Sequence, residues 1–111
     1  MELILGAASA RLLEPEDLTS FAVVLEDDVE PGPEALAEGG VLGFGDHAWV
    51  RIDVLRRLAG PVATSEWEDG FAAMLDYART RGWVDDAQGA VRGHVERRAS
   101  TPVTVANGDP A

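Results

Sequence analysis

The residues that could carry chemistry in this 111-residue chain lie in two segments with alternating side-chain polarity. In residues 47–52, Ala48, Val50 and Ile52 alternate with polar or aromatic neighbours, and residues 90–97 alternate in the same way. A period of two is typical of a strand with one buried and one exposed face. If both strands belong to one sheet, their exposed faces share six residues: His47, Trp49, Arg51, Arg92, His94 and Glu96.

These six side chains are of the types used for proton transfer and for anion binding. An imidazole can transfer protons near neutral pH, and a carboxylate beside it would fix its tautomer. A guanidinium group could hold a carboxylate or a phosphate through two hydrogen bonds. An exposed tryptophan between histidine and arginine is typical of a binding hot spot. The simpler interpretation is a sheet with one solvated face, which the alternation alone explains.

Other chemistries find less support in the sequence. A metal site is conceivable among two imidazoles and three carboxylates, namely His47, His94, Asp46, Asp53 and Glu96. No His-x-His or His-Glu-x-x-His spacing accompanies them. The glycine-rich residues 39–45 match neither the phosphate-binding loop nor the dinucleotide-binding pattern, and a hairpin explains them better. We therefore predict neither a metal nor a cofactor.

The absence of two residue types excludes further mechanisms. The chain has no cysteine, so it has neither a disulfide framework nor a thiol nucleophile. All nine basic residues are arginines, which excludes Schiff-base chemistry on a lysine. No serine stands in a Gly-x-Ser-x-Gly motif. The sequence thus favours a domain without a nucleophile, although it leaves open whether the protein is an enzyme.

The charge of the chain limits its partners. The net charge is −11, and residues 1–46 contribute −10 of it through eleven acids and one arginine. A surface of this kind repels nucleic acids and anionic membranes, so we expect neither as a partner. It favours solubility, or docking of a basic partner. The first residues are acidic and hold only a short apolar run, from which we expect a cytoplasmic protein.

The best-specified element is a helix over residues 66–81. Ser65 and Glu68 form a predicted capping box, and Gly82 predicts a Schellman stop at which Trp83 folds back onto the last turn. The apolar stripe of this helix has helical spacing and comprises Trp67, Phe71, Met74, Leu75 and Ala78. A hairpin through residues 83–84 and 90–97 is expected to follow.

The remaining elements are predicted from shorter patterns. Residues 41–44 pair with 47–52 around a type II′ turn at Gly45-Asp46, and Asp53 caps a short helix over residues 54–59. Strands are expected at 3–8 and 21–26, and a brief helix at 33–37 within a mobile acidic loop, 27–40. Residues 99–111 are expected to be a polar tail, in which 103–105 could add to a sheet edge.

Together these elements predict an α+β fold with a single domain over residues 1–98. Its predicted core is an antiparallel sheet of four to five strands with the 66–81 helix packed on one face.

The chain has a pattern that resembles small proteins of high-GC bacteria to which no activity is assigned; it comprises residues 48–53, 58–60, Trp67, 70–71, 74–78 and 82–96. This resemblance implies one compact domain and nothing about activity. Residues 65–97 are also similar to the end of a winged-helix domain, but the acidic charge and the lack of a second amphipathic helix argue against that fold.

Two functional hypotheses follow. The first is a non-catalytic interaction or accessory domain that pairs with itself or with a protein partner through the face bearing Trp49. The second is a small-molecule-binding protein or enzyme that uses His47, His94, Glu96 and either Arg51 or Arg92.

Overall fold

Residues 1–26 and 30–98, which the computed structural model describes, form a sheet flanked by three α-helices. In chain order the elements are β1 (Glu2–Leu5), β2 (Ala10–Leu13), β3 (Ala22–Glu26), α1 (Pro33–Glu38), β4 (Val41–Phe44), β5 (His47–Arg51), α2 (Ile52–Ala59), a 3-10 turn (Gly60–Val62), α3 (Ser65–Thr80), β6 (Val84–Asp85) and β7 (Ala90–Arg98). The predicted tail at 99–111, with its possible edge strand, and residues 27–29 of the predicted mobile loop lie outside the described residues.

The strands are arranged in the order β2-β1-β3-β7-β5-β4, and β6 pairs with the first residues of β7. The α+β class is confirmed, but the prediction of an antiparallel sheet of four to five strands is wrong. Within the described residues the sheet has seven strands, and it is mixed because β3 runs parallel to both β1 and β7. Strand direction here depends on long connections, for which the local sequence gives no signal. No strand was predicted at residues 10–13, where β2 forms one edge of the sheet.

The hydrophobic core lies between the sheet and the helices. One face of the sheet supplies Leu3, Leu5, Val23, Leu25, Ala48, Val50 and Val91, and helix α3 supplies Trp67, Phe71, Leu75 and Ala78. Trp67 and Phe71 are stacked with ring centroids 4.6 Å apart. Each large apolar side chain buried in this way contributes about 1.5–3 kcal/mol of transfer free energy. The helical stripe predicted from the sequence is therefore mainly core.

The two ends of α3 differ in how well the sequence predicts them. The capping box is wrong by one residue, because Thr64 is the N-cap and its hydroxyl accepts a hydrogen bond from the Trp67 amide. The stop is as predicted: Gly82 has a φ of 78°, and the Trp83 amide donates to the Ala78 carbonyl at 2.9 Å. These bonds are those of a Schellman motif, and they fix where Trp83 leaves the helix.

Two further local predictions are wrong. Helix α2 begins at Ile52, directly after β5, so Asp53 lies in its first turn and does not cap it. The Asp53 carboxylate instead pairs with the Arg51 guanidinium at 3.0 Å. Gly45 lacks the positive φ that a type II′ turn requires at its first central position. The short helix predicted at 33–37 is present as α1.

None of the helices in the described residues is both long enough and apolar enough to span a membrane.

Candidate functional site

The two strands singled out in the sequence are neighbours in the sheet. In the antiparallel pairing of β5 with β7, His47 lies opposite His94, and Trp49 lies opposite Arg92. The two imidazole rings have centroids 5.9 Å apart and planes inclined at 69°. Residues opposite each other in a ladder point to the same face. The structure therefore brings both histidines of the chain and Arg92 to one side of the sheet.

The neighbour of β7 on its other side changes partway along the strand. Val84 and Asp85 of β6 pair with its first two residues, whereas β3 pairs with it only from His94 onwards. At the junction, the Arg92 amide still donates to the Trp83 carbonyl at 2.8 Å. The sheet is thus split beside Arg92 and Gly93, and this split opens towards α3.

The loop between β2 and β3 forms the opposite wall of the split and is held against α3. The Trp67 indole N–H donates to the Pro15 carbonyl at 2.8 Å. Gly70 allows close approach, since a Cβ there would lie 2.6 Å from a Leu18 methyl carbon. Gly93 does the same for the Phe21 ring, which a Cβ at 93 would approach to 2.7 Å. Two glycines therefore allow the loop to pack where it does.

A cavity of about 190 Å³ lies in this split. It is lined by Thr19, Ser20, Phe21, His47, Met74, Tyr77, Ala78, Trp83, Val91, Arg92 and His94. Most of the lining is apolar, and none of these residues is an aspartate or glutamate. A dry cavity of about 150 Å³ is large enough for a benzene molecule. The size therefore suits a ligand with a single ring better than a drug-sized molecule, which needs about 300 Å³ or more.

Arginine and aromatic side chains form one rim of the cavity. The guanidinium carbons of Arg81 and Arg92 lie 5.5 and 5.9 Å from the centroid of the Trp83 ring. Tyr77 packs edge-on against Trp83 at 6.2 Å and remains 58% exposed. Arg81 also lies 5.7 Å from the Tyr77 ring. These distances are within the range of a cation–π interaction.

Most of the other arginines form ion pairs, whereas Arg81 and Arg92 form none within the described residues. Six arginines pair with a carboxylate, namely Arg11, Arg51, Arg56, Arg79, Arg97 and Arg98. The Arg57 guanidinium donates to the Glu38 carbonyl at 3.4 Å. Within residues 1–26 and 30–98, no carboxylate lies within ion-pair distance of Arg81 or Arg92. Arg57 also lacks a carboxylate partner in that part of the chain but bonds to a carbonyl, whereas Arg81 and Arg92 both lie beside Trp83.

The six residues predicted as a site are divided by the structure. His47, Arg92 and His94 line the cavity, whereas Trp49, Arg51 and Glu96 do not. Trp49 is half-buried, which corrects the expectation of an exposed tryptophan. Arg51 is paired with Asp53, and the Glu96 carboxylate accepts from the Arg98 guanidinium at 2.8 Å. The predicted carboxylate–imidazole pair is therefore not formed by Glu96.

Sequence reasoning missed the aromatic half of the cavity. Trp83 was interpreted only as the residue that follows the helix stop, and Met74 only as core. Tyr77 lies on α3 and Arg81, four residues later, is its C-cap; this spacing was the one available signal that an arginine covers an aromatic ring there. Phe21 gave no signal, because its position depends on Gly93, far away in the sequence.

The far end of β7 carries a different electrostatic arrangement. Arg98 donates to both carboxylate oxygens of Glu2, at 2.7 and 2.9 Å, and also to Glu96. The hydrogen bond from Arg98 lowers the pKa of the Glu2 carboxyl, and the charge of Arg98 adds to this effect. The same pairs raise the pKa of the Arg98 guanidinium. The charge of Arg98 is thus fully compensated by carboxylates of the chain itself.

No group of three or more histidines, aspartates or glutamates suited to a metal ion occurs in the described part of the chain. Comparisons of the sequence and structure with protein-family models, with curated proteins and with solved structures found no match. The cavity is therefore the feature that points to a function.

Proposed function

We propose that this protein is a small-molecule-binding domain whose ligand places a single ring in the cavity between α3, Trp83 and β7. The observation that carries the proposal is the composition of the cavity wall. Apolar and aromatic side chains form most of it, and a few polar groups converge at one rim. Such a combination is typical of ligand sites, in which apolar area supplies affinity and the polar groups fix orientation.

The way the cavity is built also supports binding. It lies where β7 changes neighbours, and its walls come from α3, the β2–β3 loop and two strands. The Schellman stop at Gly82 and the Pro15 hydrogen bond of Trp67 hold two of these walls in place. Because the walls are held by separate contacts, little ordering is needed when a ligand enters.

The proposal is tested with benzamide, a neutral single-ring probe, added to the ¹⁵N-labelled protein and followed by NMR. A fragment of this size is expected to bind with a Kd of about 1 mM. The amides of Ala78, Trp83 and Val91 through His94 should shift with one saturable dissociation constant. Shifts that stay linear up to the solubility limit, or that are scattered over the surface, would overturn the proposal.

A matched pair of variants on α3 controls for nonspecific binding. Ala78 is buried and lines the cavity, whereas Ala72 is exposed on the same helix and does not. Ala78→Leu should fill part of the cavity and abolish the saturable shifts. Ala72→Leu adds the same group outside the cavity and should leave them unchanged. Equal binding by both variants would place the probe elsewhere.

A second candidate function is self-association, which the sequence predicted through the Trp49 face as one form of an interaction domain; edge strand β4 favours it by a different surface. Leu42 and Phe44 on this strand are 47% and 42% exposed. Residues 39–45 carry no charge, although the chain as a whole has a net charge of −11. Edge strands are usually protected by charged residues. Two copies could pair along β4 without bringing carboxylates together, which is difficult elsewhere on this acidic surface.

Sedimentation velocity over a range of concentrations tests the second candidate. The wild-type chain should form a dimer that Leu42→Glu dissociates. Leu13→Glu is the matched control, because Leu13 is 41% exposed on β2 at the other edge of the sheet. A monomer at all concentrations, or equal loss of dimer in both variants, would contradict pairing through β4.

A further inference from the structure

We infer that the ligand carries a carboxylate, which the Arg92 guanidinium binds together with the imidazoles of His47 and His94. This inference rests on the proposed function, because it names the chemistry of the ligand at the same cavity. The cavity has an apolar part for the ring and a rim of nitrogen donors for the charged group. Its lining contains no carboxylate that would compete for those donors.

The Arg92 guanidinium is the first group that favours an anionic ligand. Arg92 is half-buried, and no acid among the described residues pairs with it. Among the described residues, six of the nine arginines pair with a carboxylate, and Arg92 does not. A partly desolvated guanidinium is stabilised when an anion completes its hydrogen bonds. An anionic ligand would supply the partner that the described residues do not.

The two histidines beside Arg92 also favour an anionic ligand. His47 and His94 lie opposite each other on β5 and β7, and Arg92 precedes His94 by two residues on the same face. A carboxylate in front of this group could accept from the guanidinium and from an imidazole N–H at once. A ligand with a positive charge would instead face Arg92 directly. The geometry therefore selects for an anion and against a cation.

The number of charged groups favours a carboxylate over a phosphate monoester. Of the arginines in the described residues, Arg92 alone lines the cavity, since Arg81 contacts Trp83 without lining it. A planar guanidinium matches a planar carboxylate with two parallel hydrogen bonds and equal, opposite charge. A dianionic phosphate would leave charge uncompensated beside an acidic protein surface.

Benzoate and benzamide provide the test, because they have the same shape and number of non-hydrogen atoms and differ in charge. In NMR titrations of the wild-type protein, benzoate should bind at least about tenfold more tightly than benzamide. Arg92→Gln should weaken benzoate binding by about tenfold and change benzamide binding by less than about twofold. Benzylammonium, which reverses the charge, should bind more weakly than benzamide.

Arg81→Gln is the matched control, because it removes an arginine beside the same tryptophan but outside the cavity lining. It should leave the ratio of benzoate to benzamide affinity unchanged. His47→Gln and His94→Gln should each weaken benzoate binding by a smaller factor than Arg92→Gln. Equal losses of benzoate binding in Arg81→Gln and Arg92→Gln would overturn the assignment to Arg92, because they would reflect the surface charge alone.

The outcomes separate this inference from the proposal on which it rests. If benzamide and benzoate bind equally well at the cavity, the carboxylate assignment is wrong and the binding function stands. If neither binds, both are wrong. If phenylphosphate binds about tenfold more tightly than benzoate, the ligand is a phosphate and the carboxylate is excluded.

Discussion

The two ends of β7 carry arginines in opposite circumstances. At its far end, Arg97 pairs with Glu30, and Arg98 pairs with Glu2 and Glu96. Near its start, Arg92 lies over Trp83, and no acid in the described ranges approaches it. Both ends belong to the same strand and are separated by only a few residues. The difference therefore arises from what lies beside each end: Glu2 of β1 and Glu30, which follows β3, bring carboxylates to one end, and Trp83, just before β6, brings an aromatic ring to the other.

This comparison separates arginines that are paired within the protein from Arg92, the proposed ligand-binding arginine. Where an acid is within reach, the pair is closed and the guanidinium adds modestly to stability. Where β7 is split from β3, an aromatic pocket takes the place of the acid, and the guanidinium is left available to a ligand. Substitutions at the paired end of β7 should therefore change stability, and substitutions at Arg92 should change ligand binding.

The largest effect is expected at the junction of the two ends. Gly93→Ala would place a Cβ at 2.7 and 2.9 Å from two carbons of the Phe21 ring, so the ring or the strand must move. Overpacking of this kind costs about 1–3 kcal/mol. Urea unfolding followed by circular dichroism should show the loss. An unchanged midpoint would mean that the half-buried Phe21 moves aside without cost.

Gly45→Ala provides the control for this substitution. Gly45 lies in the β4–β5 connection, its φ is not positive, and a Cβ there would meet no atom within 4 Å. The free energy of unfolding should therefore change by no more than about 0.5 kcal/mol. A similar loss in both variants would point to a general effect of glycine replacement, and not to contact with Phe21.

Smaller effects are expected from replacing the arginines. At one end of β7 the replacement should change stability, and at the other end it should change ligand binding. Arg98→Gln removes both carboxylate pairs and should lower the urea midpoint, while benzoate affinity stays the same. Arg92→Gln should weaken benzoate binding with little change in the midpoint. Both variants remove one positive charge from the same strand, so each controls for the other. If both change binding equally, the distinction between the two ends fails.

Much of the fold was predictable where the signal is local. The apolar stripe of α3, the Schellman stop at Gly82 and the alternation in β5 and β7 each depend on residues close together in the chain. These patterns also place His47, Arg92 and His94 on one face. The capping residue was missed because Thr64 and Ser65 are equally suitable caps, and only the chain path into the helix decides between them.

The remaining features depend on contacts between distant residues. The parallel pairing of β3 with β7 and the split beside Gly93 follow from long connections, and so does the position of Phe21. The partners of the charged residues are equally distant, since Arg98 and Glu2 are 96 residues apart. Glu96 was therefore predicted to pair with a histidine, although its carboxylate is hydrogen-bonded to Arg98. The sequence shows which side chains could react, but the tertiary structure decides which are already paired.

The smallest effect is the dependence of stability on pH at the paired end of β7. Arg98 lowers the pKa of Glu2 in the folded state, mainly through their hydrogen bonds. A lowered folded pKa contributes stability above the unfolded pKa, and this contribution is lost as the pH falls through the folded value. Stability due to Glu2 should therefore be complete at neutral pH and decline below about pH 4.5.

Glu2→Gln removes this contribution, so the variant should be less stable than the wild type at pH 7 by less than about 1 kcal/mol. The two proteins should converge as the pH falls from about 5 to 3, because the wild-type carboxyl then becomes neutral as well. Urea midpoints at several pH values measure this convergence. Glu16→Gln is the control, because Glu16 is exposed and forms no ion pair with the described residues. A constant difference between wild type and Glu2→Gln at all pH values would show that Glu2 acts through packing, and the paired end of β7 would then owe its stability to something other than charge.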